Sequence, residues 1–238
     1  MIDIHAITVC VNYAHLFKYC VGNKKFFKRW IIVTVEDDID TINLCKENNL
    51  EYIFSKTLYT RKFAKGCAIN EAIDYIGYDK EWYLHIDADV LLPTNFNDTF
   101  EHNEETDNYN IIGTKRLKRT GIEKYFKQDL SLEHPALYLY TMGRVNVDEE
   151  EDFEMFIPQQ YFDLTDNIIQ RHKGYGYFQL FHLPSLLKVY PDLRYVYPDL
   201  SKNAGHDDYI FQKMFYQTVS LNTYCIHLSP EEQNWDGI

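Results

Sequence analysis

The chain lacks any run of the roughly 18 apolar residues that a membrane-spanning helix needs, and it shows no N-terminal leader pattern. Both absences predict a soluble protein with no integral membrane segment. A surplus of basic charge is also missing: 24 Lys and Arg stand against 36 Asp and Glu, for a formal net charge of -12. Such a surface repels phosphate backbones and anionic headgroups, which argues against nucleic acid or an anionic membrane as partner. An anionic substrate then needs a metal ion or a local basic pocket. Cysteine is sparse and unpatterned: Cys10, Cys20, Cys45, Cys67 and Cys225 contain no C-x-x-C pair. An odd count without a framework points to small packed hydrophobes in a reducing, cytoplasmic compartment. With 10 Gly and 7 Pro, extensive disorder is excluded, and no repeat, linker or low-complexity tract divides the 238 residues. One α/β domain spanning 1–238 is expected.

What the chain does have is rings and one unusual strand end. Tyr (20) and Phe (15) supply an aromatic core. Residues 81–93 read Glu-Trp-Tyr-Leu-His-Ile-Asp-Ala-Asp-Val-Leu-Leu-Pro. Trp82 to Ile86 is continuously apolar apart from His85, the signature of a buried parallel strand. Asp87 and Asp89 follow at its carboxyl end, where open α/β sheets place their ligands. In an extended segment side chains two apart point the same way, so both carboxylates are expected to face one divalent cation. The competing expectation is that they cap the turn or helix after the strand.

Upstream, strand and helix alternate. Ile4 to Asn12 predicts a first strand, Leu16 to Arg29 a helix, and Ile31 to Val35 a β-branched second strand. Asp40 is placed to cap a helix containing Ile42 and Cys45, which Asn48-Asn49 stops. Tyr52 to Phe54 predicts a third strand, and Ile69, Ala72, Ile73 and Ile76 form the stripe of a helix from Cys67 that Gly77 ends. Asn110 to Thr114 reads as a further strand, residues 97–109 and 146–160 as polar loops, and Leu183 to Val189 as a helix begun by Pro184 and Ser185. The succession predicts a doubly wound, mostly parallel sheet with helices on both faces.

Three αβ units followed by a hydrophobic strand and Asp-x-Asp resemble the nucleotide-diphosphosugar glycosyltransferases of the GT-A fold. The likeness covers residues 4–114 by pattern, and more loosely 174–182 and 205–228. It implies a nucleotide-sugar-binding half, about 1–114, and an acceptor-binding half, about 115–238. It further implies Mn2+ or Mg2+ at Asp87 and Asp89, bridging the diphosphate of a donor, with UDP-sugars first among the candidates. Charge gathering on the departing diphosphate is the physical reason for a cation there. The acceptor is a hydroxyl of a glycan, protein or small molecule.

The same resemblance assigns further positions. Val11, Asn12 and Tyr13 at the first strand's end would cradle the base, Asp37 and Asp38 would bond uracil or ribose, and Ala88 lies inside the motif. Arg61 and Lys65, ahead of the Cys67 helix, would meet the nucleotide, with Gly66 allowing close approach. Within Gly205-His206-Asp207-Asp208, Asp207 first and Asp208 second would act as general base of an inverting transfer. His227 would be a third metal ligand. Tyr177, Phe178 and Gln179 in a glycine-aromatic segment would form an acceptor platform. Each has a plainer alternative: turn, solvated loop, surface charge, helix cap, structural histidine or core aromatics. Three other functions stay open: a retaining transferase, a sugar- or nucleotide-binding module without turnover, and a haloacid-dehalogenase-like phosphatase with Asp87 as nucleophile.

Overall fold

A computed structural model describes residues 2–58, 64–92, 96–97, 111–118, 177–193, 195–198, 208, 210–212, 214–215 and 218–228. Strands run Ile4–Val9 (β1), Arg29–Thr34 (β2), Glu51–Phe54 (β3), Trp82–Ile86 (β4), Val90–Leu91 (β5), Ile111–Lys118 (β6), Phe178–His182 (β7) and Thr218–His227 (β8). Helices run Ala14–Phe17 (α1), Ile39–Glu47 (α2), Lys65–Ile76 (α3) and Leu183–Val189 (α4), with a 3-10 segment at Val21–Phe26. Among the described residues no helix is long and apolar enough to cross a membrane.

The strands form one sheet in the order β3-β2-β1-β4-β7-β6-β8-β5. β3, β2, β1 and β4 are mutually parallel. β7 then runs antiparallel to β4, with His85 opposite Gln179 and Ile86 opposite Phe178. Beyond it β6 pairs antiparallel with β7 and parallel with β8, and β5 closes antiparallel on β8. The parallel half matches the expected winding; the antiparallel insertion of β7 is added to it.

Alternation along the strands sorts their side chains into two cores. Ile4, Ala6, Trp30, Ile32, Trp82, Leu84, Ile86, Phe178 and Leu180 share one face with Leu16, Phe17 and Cys45 of α1 and α2. Ile7, Ile31, Val33, Tyr83 and Phe181 share the other with Ala68, Ile69, Ala72 and Ile73 of α3, and Leu183 and Leu186 of α4. Apolar residues on both faces explain why these strands read as unbroken runs. Cys10, Cys20, Cys45 and Cys225 are buried, as small hydrophobes should be. Burial pushes the Cys10 and Cys45 thiols up to about 12.

Several local expectations need correction. The helix expected over Leu16–Arg29 is instead two short pieces, α1 and the 3-10 segment, and Asn23 within the second holds β5. Its Nδ2 donates to the Val90 carbonyl (2.7 Å) and its Oδ1 accepts from the Leu92 amide (3.1 Å). Asp38, not Asp40, caps α2: its Oδ1 accepts from the Thr41 amide at 3.1 Å, while Asp40 sits in the first turn. Gly77 ends α3 at φ +104°, a conformation L side chains avoid. α4 is capped by His182, whose Nδ1 accepts from the Ser185 amide at 3.3 Å, with Pro184 in the first turn.

Candidate active site

β4 ends at Ile86, and its carboxyl end meets the amino end of α3. Asp87 follows the strand: its amide donates to the Tyr177 carbonyl (3.0 Å), and its own carbonyl accepts from Val90 N (3.3 Å). Asp87 to Val90 is therefore a tight turn, not extended backbone, so the expected same-side placement by strand alternation does not hold. Chain reversal separates the two carboxylates by environment: Asp89 is buried, while the Asp87 side chain is 28% exposed. The Asp89 carbonyl accepts from Leu228 N at 2.7 Å, which anchors the turn to β8. That pairing sets the His227 backbone opposite Val90, one residue from Asp89.

Lys65, the first residue of α3, donates from Nζ to Asp87 Oδ1 at 2.8 Å. Its side chain is only 12% exposed. Burial alone would lower the ammonium's pKa, but attraction from Asp208, Asp87 and Asp89 outweighs it and raises the net value. One largely buried cation is thus attracted by three carboxylates, two from the turn after β4 and one, Asp208, from far along the chain. His85, wholly buried, sits with Nε2 3.6 Å from Asp87 Oδ1 and Nδ1 3.4 Å from Gln179 Oε1. Burial and then the Lys65 charge hold this imidazole well below its usual range, so it is neutral at pH 7.

Asp208 is buried on the face covered by α3. Tyr197 joins it to β7: the phenol oxygen lies 2.5 Å from Asp208 Oδ1 and 2.6 Å from Gln179 Oε1. Asn70 of α3 holds the Tyr197 backbone at both polar atoms, donating to its carbonyl and accepting from its amide, each at 2.8 Å. Sequence reasoning missed Asn23, Asn70 and Tyr197. The available signal was a buried-face polar residue, Asn70, within the apolar stripe of α3.

The remaining expected positions separate. Asn12 (φ +56°) and Tyr13 form the turn after β1, with Val11 half-buried before them. Asp38 lies beside that turn, but its carboxylate is occupied: Oδ2 accepts from the Asn12 amide (2.7 Å) and from Thr34 Oγ1 (3.3 Å), and Oδ1 serves the α2 cap. It braces the turn, while Asp37 is exposed next to it. The Ala88 side chain faces the α1/α2 core, so only its backbone borders the site. Phe178 and Gln179 are wholly buried in β7, which corrects their reading as an acceptor platform; strand alternation points one into each core. Tyr177 is half-buried and contributes the carbonyl that receives Asp87 N. Asp207, Arg61 and the Gly174–Gly176 stretch lie outside the described residues, as does the side chain of His227. Among the described residues, no group of three or more Asp, Glu, His or Cys side chains is arranged to enclose a metal ion.

No family model and no curated protein matches the chain in sequence. Solved structures do. It is similar to S. aureus TarS 1–349 in complex with UDP-GlcNAc, with TM-score 0.57 and 13% identity over 99% of this chain and 60% of that one. Glucosyl-3-phosphoglycerate synthase from Mycobacterium tuberculosis, in complex with Mn2+, UDP and glucosyl-3-phosphoglycerate, matches with TM-score 0.50 and 11% identity over 95% of this chain and 72% of that one. Mannosyl-3-phosphoglycerate synthase from Rubrobacter xylanophilus matches with TM-score 0.50 and 11% identity over 98% of this chain and 68% of that one. The chain spans 60% of the TarS 1–349 structure's length. At these identities the likeness establishes a shared fold, the mixed α/β arrangement of the GT-A type.

Proposed function

We propose that this chain is a glycosyltransferase that uses a divalent metal to move a sugar from a nucleotide-diphosphate donor, a UDP-sugar first, to a hydroxyl acceptor with inversion. The observation that carries the reading is the convergence of Asp87, Asp89, Asp208 and Lys65 at the carboxyl end of the central strand. Residues 1–114 are the donor half in this reading, and 115–238 the acceptor half. Similarity in fold to structures holding UDP, UDP-GlcNAc and Mn2+ supports the donor class.

Asp87 and Asp89 would hold the metal, with His227 as a further ligand. Hard carboxylate oxygens suit Mn2+ or Mg2+, and such ions commonly take one or two carboxylates and complete their shell with water and substrate phosphate. When bound, the metal supplies positive charge against the diphosphate oxygens. Lys65 adds an ammonium at the same strand end. The turn formed by Val11, Asn12 and Tyr13, braced by Asp38, with Asp37 exposed beside it, would border the base and ribose; Arg61 would add charge toward the nucleotide.

The transfer balances simply. A carboxylate of the Asp207-Asp208 pair takes the proton of the acceptor hydroxyl as its oxygen bonds to the anomeric carbon. The bond from that carbon to the diphosphate oxygen breaks, and its electron pair leaves with the nucleoside diphosphate. Calorimetric titration with UDP, GDP, CDP and dTDP, in Mn2+ and then in EDTA, tests the reading. Mn2+-dependent binding of one nucleotide is expected; absence of binding to all four defeats it.

A further inference from the structure

Among the polar side chains buried on the α3 face are His85, Gln179, Asn70, Tyr197 and Asp208. Polar groups in an apolar layer cost stability unless each finds a partner, so their arrangement is informative. Tyr197 is fixed in three ways. Asn70 holds both its backbone polar atoms at 2.8 Å. Its ring stacks on Phe211 with centroids 4.4 Å apart at 25°, and meets the edge of His85 at 5.8 Å. Its hydroxyl lies between Gln179 and Asp208 at 2.6 and 2.5 Å.

Hydrogen counting adds a direction. The phenol has one hydrogen, which cannot serve both Gln179 Oε1 and Asp208 Oδ1. An amide has nearly the same shape when turned by a half rotation. Turned so, the Gln179 NH2 gives one hydrogen to the phenol oxygen and one to His85 Nδ1. The phenol hydrogen then goes to Asp208. The reversal gives up the long bond from Nε2 to the Asp208 carbonyl (3.4 Å) and sets the amide oxygen opposite that carbonyl instead. The phenol hydrogen and the two amide hydrogens then each have one acceptor, and the shortest contact is the one made to a carboxylate.

We propose that Tyr197 is the positioning residue for Asp208: its phenol holds one carboxylate oxygen, and Asn70 on α3 fixes the distance from that carboxylate to Lys65. This rests on the reading that the Asp207-Asp208 pair serves a transfer reaction. Asp208 bonds the Tyr197 hydroxyl and also attracts the ammonium of Lys65. α3 thus sets both neighbours of Asp208 from one rigid element, Lys65 at its start and Asn70 one and a half turns on. Neither Tyr197 nor Asn70 needs to touch substrate for this.

Kinetics of Tyr197→Phe, Asp208→Asn, the double variant and Asn70→Asp test the proposal, with transfer measured from the donor that binds. Tyr197→Phe keeps the stack on Phe211 and loses only the hydroxyl. It is expected to lower kcat by about tenfold or more, with donor KM and Mn2+-dependent UDP affinity within about twofold of the parent. The double variant should be no slower than Asp208→Asn alone, since the phenol acts only through that carboxylate. Asn70→Asp keeps an acceptor for the Tyr197 amide but loses the donor to its carbonyl. It should show a smaller kcat loss with the same unchanged KM, and serves if the phenylalanine variant does not fold. Unchanged kcat in both single variants, or additive losses in the double variant, overturns the positioning role and leaves the transferase reading intact. A parent that transfers from no donor overturns both.

Discussion

Replacing Lys65 by Met removes the one described cation at the strand end and leaves its neighbouring carboxylates facing one another. Nζ lies 2.8 Å from Asp87 Oδ1 in a site with side chains 12% and 28% exposed. At an effective dielectric of about 20, two unit charges at that distance attract by roughly 6 kcal/mol, most of it offset by desolvation. Breaking such a pair on one side costs about 3 kcal/mol after that offset, at the low end of the range for buried pairs because Asp87 keeps some water. For a chain of this size the change corresponds to a fall in Tm of roughly 6–12 °C. The diagnostic part is the response to metal. In EDTA the variant should melt well below the parent; Mn2+ should then stabilise it more than it stabilises the parent, because the ion supplies the charge that Lys65 supplied. Scanning calorimetry of both proteins with and without Mn2+ reads all four values. Equal melting in EDTA would refute the claim that Lys65 balances this cluster. Equal Mn2+ shifts would refute the claim that lysine and metal answer to the same carboxylates.

Asp89→Ala is expected to abolish Mn2+-dependent UDP binding by calorimetry; a variant that keeps the parent's stronger UDP affinity in Mn2+ than in EDTA would sink the metal assignment. Asn23→Ala leaves the Val90 carbonyl and Leu92 amide without their side-chain partner, and should cost about 2–4 kcal/mol in urea unfolding; a loss below about 0.5 kcal/mol would mean that β5 does not depend on the clamp. His85, His5 and His182 are each lowered, burial being the first cause. Their folded values lie below the unfolded value of about 6.5, so the unfolded chain takes up protons first as pH falls. The stability is therefore whole above about pH 6.5 and is lost below it, by at most about 1.4 kcal/mol per pH unit for each histidine. Unfolding free energies at pH 7.5, 6 and 5 check this, and a flat profile would contradict it.

The parallel half was legible because the physics there is local. Continuous apolar runs, β-branched residues and the stripe Ile69, Ala72, Ile73 and Ile76 placed β1 to β4 and α3 within a few residues. The antiparallel half was less so, since periodicity reports which residues are buried but not which strand lies beside which. The segment Gly174 to Gln179 illustrates this: rings and a glutamine near glycines read as a sugar-facing surface. Insertion of β7 between β4 and β6 instead buries Phe178 on one face and Gln179 on the other. In the site, Asp87 and Asp89 stood out from sequence because two carboxylates after an apolar strand are costly without compensation. Their turn geometry did not, as it depends on Tyr177, Asn23 and Leu228, which are remote in sequence. The bracing role of Asp38 was hidden for a related reason. Its capping role was visible locally, but its bond to the Asn12 amide needs β1 and β2 side by side.

Two asparagines reveal how the strand end is held. Asn23 makes two bonds to the backbone of Val90 and Leu92, just after Asp89; Asn70 makes two to the backbone of Tyr197, which holds Asp208. One works from the α1/α2 face of the sheet and the other from the α3 face. A side-chain amide offers a donor and an acceptor in one plane, so each grips a segment at two polar atoms much as a neighbouring strand would. Neither gripped pair of atoms belongs to a ladder bond, and both grips are buried, where an unmet amide or carbonyl costs about 1–3 kcal/mol. Apolar residues at these positions would fill the space without fixing the backbone. The carboxylates at this strand end repel one another, and their separation is therefore not set by their own packing. It is set by clamps on the chain beside them, with Lys65 between. That arrangement favours a site held rigid before its ligand arrives, the condition under which fixed charges are most effective.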